Sequence, residues 1–216
     1  MVTSLDGAVS ADGRSAPISG PSDTYMFGVL RALSDAVVVG AGTARAEGYG
    51  PGRERAEFEH LRAAAGQAPA PTIAVVTRSA DLDPTTALFT EAKARTIVIT
   101  CESASAERRA ALSHVADVVV CGDDAVDLQT ARKQLTSRGL TRVLAEGGPR
   151  LLGDLALAGL VDELALSLSP VIAGGSAGRI VATSSLLLEH MTLRSLLEAD
   201  DFLFALYSRR EPEQAS

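Results

Sequence analysis

Four short apolar runs constrain the fold most: Ala36–Val39, Thr72–Thr77, Thr96–Thr100 and Val118–Val120. None alternates apolar with polar residues. A strand with one wet face alternates, whereas a strand covered on both faces reads as a continuous run of β-branched residues. Helical patterns separate these runs. Asp23–Leu33 places Met26, Phe27, Leu30 and Leu33 on one face, Gly42–Glu47 is short, Ala104–Leu112 is charged, and Val126–Arg138 and Arg150–Ala158 follow. Strand and helix in alternation predict right-handed βαβ crossovers and an α/β fold with a mostly parallel central sheet. Met1–Leu5 (the remains of a strand), Val143–Ala145 and Glu163–Ser169 add strands, and residues 48–70 read as irregular and polar. Beyond residue 186, Met191–Leu197 and Phe202–Ser208 flank Ala199-Asp-Asp201, which predicts an antiparallel hairpin at the sheet edge. The expected organisation is one domain over residues 1–208 and a polar, disordered tail over 209–216.

Composition removes several function classes. Hydrophobic residues make up 46% of 216, but aromatics only 4% with no Trp, so the core must be aliphatic and a base-stacking platform is disfavoured. A net charge of −7 argues against a nucleic-acid partner. Cys101 and Cys121 have neither a metal spacing nor a disulfide framework, and read as reduced thiols of a cytoplasmic protein. No signal peptide and no long apolar span is visible, so no membrane partner is expected. His60, His114 and His190 lack ligand spacing with each other or with the cysteines, so no metal is expected. The chain has no P-loop, no nucleophile elbow and no zinc-deaminase signature. Its expected role is to bind and orient a cofactor that carries the chemistry, with no catalytic residue assigned.

Two glycine turns are the candidate binding elements. In Val143-Leu-Ala-Glu-Gly-Gly-Pro-Arg-Leu-Leu-Gly153 a strand stops at Glu146, two glycines turn, and Pro149 opens a helix. Free N–H groups at such a helix start suit a phosphate or pyrophosphate. In Val37-Val-Val-Gly-Ala-Gly-Thr43 a strand runs into Gly40-x-Gly42, but Arg45 stands where a dinucleotide fingerprint needs its third glycine. That segment is either a cofactor contact or a tight turn with Thr43 capping the helix. Arg78 and Ser79, also past a strand, are either a seat for a terminal phosphate or a solvated loop. Arg31 either complements the helix dipole or holds an anionic substrate group. Glu146 either satisfies loop N–H groups or faces a ligand at the strand ends.

Together these segments resemble the reductase domain of riboflavin biosynthesis, the C-terminal part of bacterial bifunctional deaminase-reductases, with its dihydrofolate-reductase-like three-layer α/β/α fold. The resemblance rests on Ser4-Leu-Asp-Gly7, Ile18-Ser-Gly20, Leu30-Arg-Ala32, Val39-Gly-Ala-Gly-Thr43, Glu146-Gly-Gly-Pro149 with Gly153, Gly159-Leu-Val-Asp-Glu163 and Pro170-Val-Ile-Ala-Gly-Gly175. It implies an NADPH-dependent, homodimeric oxidoreductase. Its substrate would be 5-amino-6-(5-phosphoribosylamino)uracil, with hydride passing to C1′ so that ribosyl becomes ribityl. The alternatives are a reductase of a pterin or other small heterocycle, and a catalytically idle NADPH-binding protein. By the same resemblance Thr3, Pro17, Gly40, Gly42, Thr43, Glu47, Arg78, Ser79 and the stretch Gly147, Gly148, Pro149, Arg150, Leu151, Leu152 and Gly153 are cofactor positions. Ser15, Arg31 and Glu146 are substrate positions. The chain departs from the pattern at Pro17, where Trp is common, and at Glu47-Gly-Tyr-Gly-Pro51, where an acidic pair usually precedes the proline.

Overall fold

The computed structural model describes residues 1–210, which form two compact units. One runs from Phe27 to Gly148; the other joins Met1–Met26 to the chain from Pro149 onward.

In the Phe27–Gly148 unit, five strands pair in parallel: β2 (Ala36–Gly40), β3 (Thr72–Val76), β4 (Ile97–Thr100), β5 (Asp117–Val120) and β6 (Val143–Ala145), in the order β5-β4-β3-β2-β6. Three of the four continuous apolar runs are the inner strands β2, β3 and β4; the fourth, Val118–Val120, lies in the edge strand β5, where Val120 is exposed, so continuity did not mean burial on both faces there. Val37, Val39, Val75 and Val98 are fully buried, each stabilising by roughly 1.5–3 kcal/mol relative to an exposed side chain. They pack with Ala41 and Ala44 of α2 (Ala41–Ala46), Leu88 and Phe89 of α4 (Ala87–Thr90) and Leu112 of α5 (Ala106–Ser113). Further along, α6 (Leu128–Thr136) starts at Asp127, whose side chain accepts from the Gln129 and Thr130 amides.

Residues 48–70, expected to be irregular, contain a single 3-10 turn at Ala56–Phe58 and α3 (Glu59–Ala64). The signal was hidden because the buried side chain of α3 is an arginine. Arg62 donates from Nη1 to the carbonyls of Ala32 (2.7 Å) and Ser34 (2.8 Å), and from Nε to that of Ala68 (2.6 Å). Its charge thereby satisfies carbonyls left open where α1 (Pro21–Ala32) ends. Asp35, just before β2, accepts from the Arg142 amide (2.7 Å), the Thr141 amide (2.9 Å) and Gln67 Nε2 (2.6 Å). Burial opposes its ionisation, but these bonds hold its carboxyl below the usual range. In α1, Gly28 and Ala32 are buried and Leu33 is exposed, contrary to the expected apolar face through Leu33. At Gly28 the Arg55 guanidinium lies across the helix, with Nη1 1.7 Å from where a Cβ would stand.

The second unit holds a four-stranded sheet in the order β1-β7-β9-β8, built from β1 (Val2–Thr3), β7 (Glu163–Leu168), β8 (Met191–Ala199) and β9 (Phe202–Arg209), together with α7 (Pro149–Leu157). β1 pairs with β7 in parallel, while β9 runs antiparallel to both β7 and β8. The expected hairpin is β8–β9. Asp200 and Asp201 turn it with φ of 52° and 64°, the left-handed pair that a two-residue hairpin loop requires. Arg209, expected in the tail, pairs in β9, where its amide donates to Asp162 O at 2.8 Å. Arg210, also expected in the tail, donates its amide to His190 O at 3.2 Å; the remaining tail residues, 211–216, lie outside the described residues.

Two of the sequence motifs lock together in this unit. The Leu5 amide donates to Val171 O (2.8 Å), and the Asp6 carboxylate accepts the amides of Ala173 (3.1 Å) and Gly174 (2.8 Å). The Ser4 hydroxyl also donates to Asp6, and with the two amides it lowers the Asp6 pKa from about 3.8 to about 2. A depressed carboxylate contributes its stabilisation above the unfolded value and loses it as pH falls through the folded one. In a two-dimensional NMR titration, the Ala173 and Gly174 amides should therefore titrate with a midpoint near 2, not near 3.8, and Asp6→Asn should abolish that transition.

Candidate functional site

In a parallel sheet the carboxyl ends of all strands lie along one rim, which is where ligands of open α/β sheets bind. Adjacent strands β2 and β6 both finish in glycine turns. The Gly40 amide donates to Gly147 O at 2.8 Å, so the two turns predicted separately meet in one hydrogen bond. The Gly147–Gly148 peptide is cis. A Cβ on Gly148 would sit 2.5 Å from Thr43 Oγ1, so Gly148 and Thr43 are in contact. Gly42 is different. It is exposed, its φ is ordinary, and a Cβ there would meet nothing within 4 Å. Gly40 caps α2 without any side-chain hydrogen bond, leaving the first-turn N–H groups without a capping side chain. Thr43 is therefore inside α2 and is not its cap.

Glu146 is buried at the end of β6. Its amide continues the ladder to Val38 O (2.9 Å), and its side chain has 0% exposure. Arg31, on the last turn of α1, binds it bidentately: Nε to Oε1 and Nη2 to Oε2, each 2.6 Å. The Tyr49 hydroxyl donates to Oε2 at 2.6 Å. The Arg31 guanidinium also lies over the rings of Phe27 (4.7 Å) and Tyr49 (5.3 Å). Burial pulls the Arg31 pKa down, but the bonds to Glu146 outweigh it and the net direction is up. Burial, reinforced by the adjacent Glu146 charge, pushes the Tyr49 phenol well above its ordinary value, so it stays a proton donor. Arg31 and Glu146 were each read from sequence as substrate contacts; the fold makes them one ion pair. Tyr49 was missed. Its one sequence signal is an aromatic between two glycines in the segment that departs from the family pattern.

Arg78 and Ser79 are exposed just past β3. Around them, Arg108 approaches Ser79 O (3.5 Å) and pairs with Asp81 (3.4 Å), and Arg45 donates to Asp81 O (2.9 Å). Arg45, noticed in the sequence only as a missing glycine, thus joins a cationic cluster at that strand end. Glu47 is exposed at the C-terminal cap of α2. An uncapped helix start, open space over Gly42 and clustered arginines beside Ser79 fit the anionic groups of a dinucleotide.

The remaining expected site residues belong to the other unit. Thr3 is buried and its hydroxyl donates to Ala8 O (3.2 Å) and Ser4 O (3.3 Å). Ser15 precedes, and exposed Pro17 lies within, a 3-10 turn at Ala16–Ile18. Pro149 is the first residue of α7 and Arg150 is exposed. Leu151 and Leu152 are buried core side chains, and a Cβ on Gly153 would lie 2.3 Å from Ala182 O. The resemblance made these last three cofactor positions, whereas their contacts here are packing.

Cys101 and Cys121 are buried free thiols. Among the described residues no group of His, Cys, Asp and Glu could hold a metal ion, and no helix is long and apolar enough to cross a membrane.

Known proteins resemble this chain in sequence and in fold. The family model for the RibD C-terminal domain matches residues 1–201. The 2,5-diamino-6-ribosylamino-4(3H)-pyrimidinone 5′-phosphate reductase of Archaeoglobus fulgidus is 34% identical over 176 residues, covering 81% of this chain and 80% of that protein. The reductase of the same name from Methanothermobacter thermautotrophicus is 34% identical over 175 residues, covering 81% and 77%. A pyrimidine reductase-like protein of Corynebacterium diphtheriae superposes with a TM-score of 0.88 at 26% identity, covering 98% of this chain and 90% of that one.

The contact at the glycine corner is testable. Gly148→Ala places a methyl group against Thr43, costing roughly 1–3 kcal/mol. Adding Thr43→Ala should recover most of the lost thermal stability, a coupling that a double-mutant cycle measures.

Proposed function

The chain belongs to the RibD C-terminal domain family, and on that premise we propose that it is an NADPH-dependent reductase of a phosphoribosylamino-pyrimidine. The bound reduced nicotinamide would supply the hydride that converts the ribosyl group to ribityl at C1′. Gly40, Gly42 and Thr43 at the start of α2, with Gly147 and Gly148 beside them, would hold the coenzyme through backbone groups. Arg78 and Ser79 would receive its adenosine phosphate, which favours NADPH over NADH. The chain's contribution to rate is proximity and orientation. The observation that supports this reading is the Gly40–Gly147 hydrogen bond, which joins two glycine turns at the ends of adjacent strands.

The base of the substrate is the finer question. The two archaeal relatives at 34% identity are named for the 2,5-diamino-pyrimidinone, and this favours the diamino compound over the corresponding uracil. Purified protein should oxidise NADPH faster with the diamino compound than with 5-amino-6-(5-phosphoribosylamino)uracil. Coenzyme binding without oxidation by either would overturn the reductase reading. Arg31→Ala should raise KM for the phosphorylated substrate and leave NADPH affinity nearly unchanged. Equal loss of both would remove Arg31 from the substrate role.

We also propose a homodimer. β8 is the last strand of its sheet, and Leu193, Leu196 and Leu197 on it stand exposed. Such an edge is normally blunted or covered, and a second copy covers it symmetrically. Leu196→Glu should shift the protein from dimer to monomer in sedimentation equilibrium. A wild-type monomer at micromolar concentration would refute the assembly.

A further inference from the structure

We propose that Tyr49 is a positioning residue that sets specificity for an anionic sugar substrate, by committing Glu146 to Arg31 and leaving the outer edge of Arg31 to receive a phosphoryl group. This rests on the reading that the site takes a phosphorylated sugar, and deepens it.

A carboxylate at a strand end could accept hydroxyls of a sugar. This one is spent. Oε1 accepts from Arg31 Nε, Oε2 accepts from both Arg31 Nη2 and Tyr49 Oη, and nothing of the side chain reaches solvent. Within the ion pair it is Arg31 that reaches solvent: its side chain is 38% accessible, and the bonds to Glu146 use Nε and Nη2 and not Nη1. Two short bonds and two ring faces, Phe27 at 4.7 Å and Tyr49 at 5.3 Å, fix the guanidinium plane. A cation held this way loses little freedom when an anion docks.

Tyr49 serves this arrangement twice. Its ring supports the guanidinium, and its hydroxyl draws on the negative charge of Glu146. That leaves more of the positive field of Arg31 facing outward than a two-membered pair would. Without the hydroxyl, the carboxylate leans fully on Arg31 and competes with an incoming phosphoryl group.

The test uses ribose 5-phosphate and ribose as probes, titrated by NMR into wild type, Tyr49→Phe and Tyr49→Ala, with thermal midpoints as a folding control. Wild type should prefer ribose 5-phosphate. Tyr49→Phe keeps the ring and loses one charge-assisted hydrogen bond. It should weaken ribose 5-phosphate binding about fivefold to tenfold and leave ribose binding unchanged. Tyr49→Ala should weaken ribose 5-phosphate further. In steady-state assays the same loss should fall on KM for the phosphorylated substrate, with kcat nearly constant, whereas a merely structural role would lower kcat through the folded fraction. Equal affinities of folded Tyr49→Phe and wild type, or equal loss for both probes, would overturn the proposal. If Tyr49→Ala does not fold, Tyr49→Phe carries the test alone. Probe discrimination that depends on Tyr49, with no pyrimidine turnover, would sink the reductase reading and leave this one standing.

Discussion

Register between β2 and its two parallel neighbours is the constraint from which the candidate site follows. Val38 lies opposite Ala74 on one side and Ala145 on the other. A slip of one residue would turn every side chain to the opposite face. It would carry Glu146 away from Arg31 and part Gly40 from Gly147. Residues more than a hundred positions apart in the chain are therefore brought into one cluster by backbone pairing, and the polar contacts inherit their geometry from an aliphatic core.

Much of this ladder can be read from the chain because burial on both faces leaves a compositional trace. β6 was anticipated at Val143–Ala145 and β2 to within one residue. The hairpin was visible for a different reason, since Asp200 and Asp201 are residues that tolerate the left-handed region. What escaped was long-range and polar. Arg62 turns an apparently solvated segment into a packed helix, and periodicity cannot see a buried charge whose partners are carbonyls far away in sequence. The Asp6 bonds to Ala173 and Gly174 joined two motifs whose shared purpose is invisible until the chain folds.

The candidate site was legible in its parts and not in its connections. Arg31 and Glu146 each suggested an anion or a hydroxyl partner, because a charge read in isolation invites a ligand. Brought together they satisfy one another, and the group that completes them is a neutral phenol. Gly153 shows the converse. A glycine that resembled a ligand-facing position is needed because the carbonyl of Ala182 passes too close for any side chain. The resemblance to a family pointed to these segments, while contact geometry shows which residues within them are already engaged by the protein itself.

Asp35 and Arg62 tie down the amino ends of the same strands whose carboxyl ends carry the glycine turns. Anchoring contacts and the candidate site thus occupy opposite borders of one sheet. Sequence drift along the border of the glycine turns can proceed while the anchoring border keeps the scaffold intact, a division of labour that gives such a fold room to evolve.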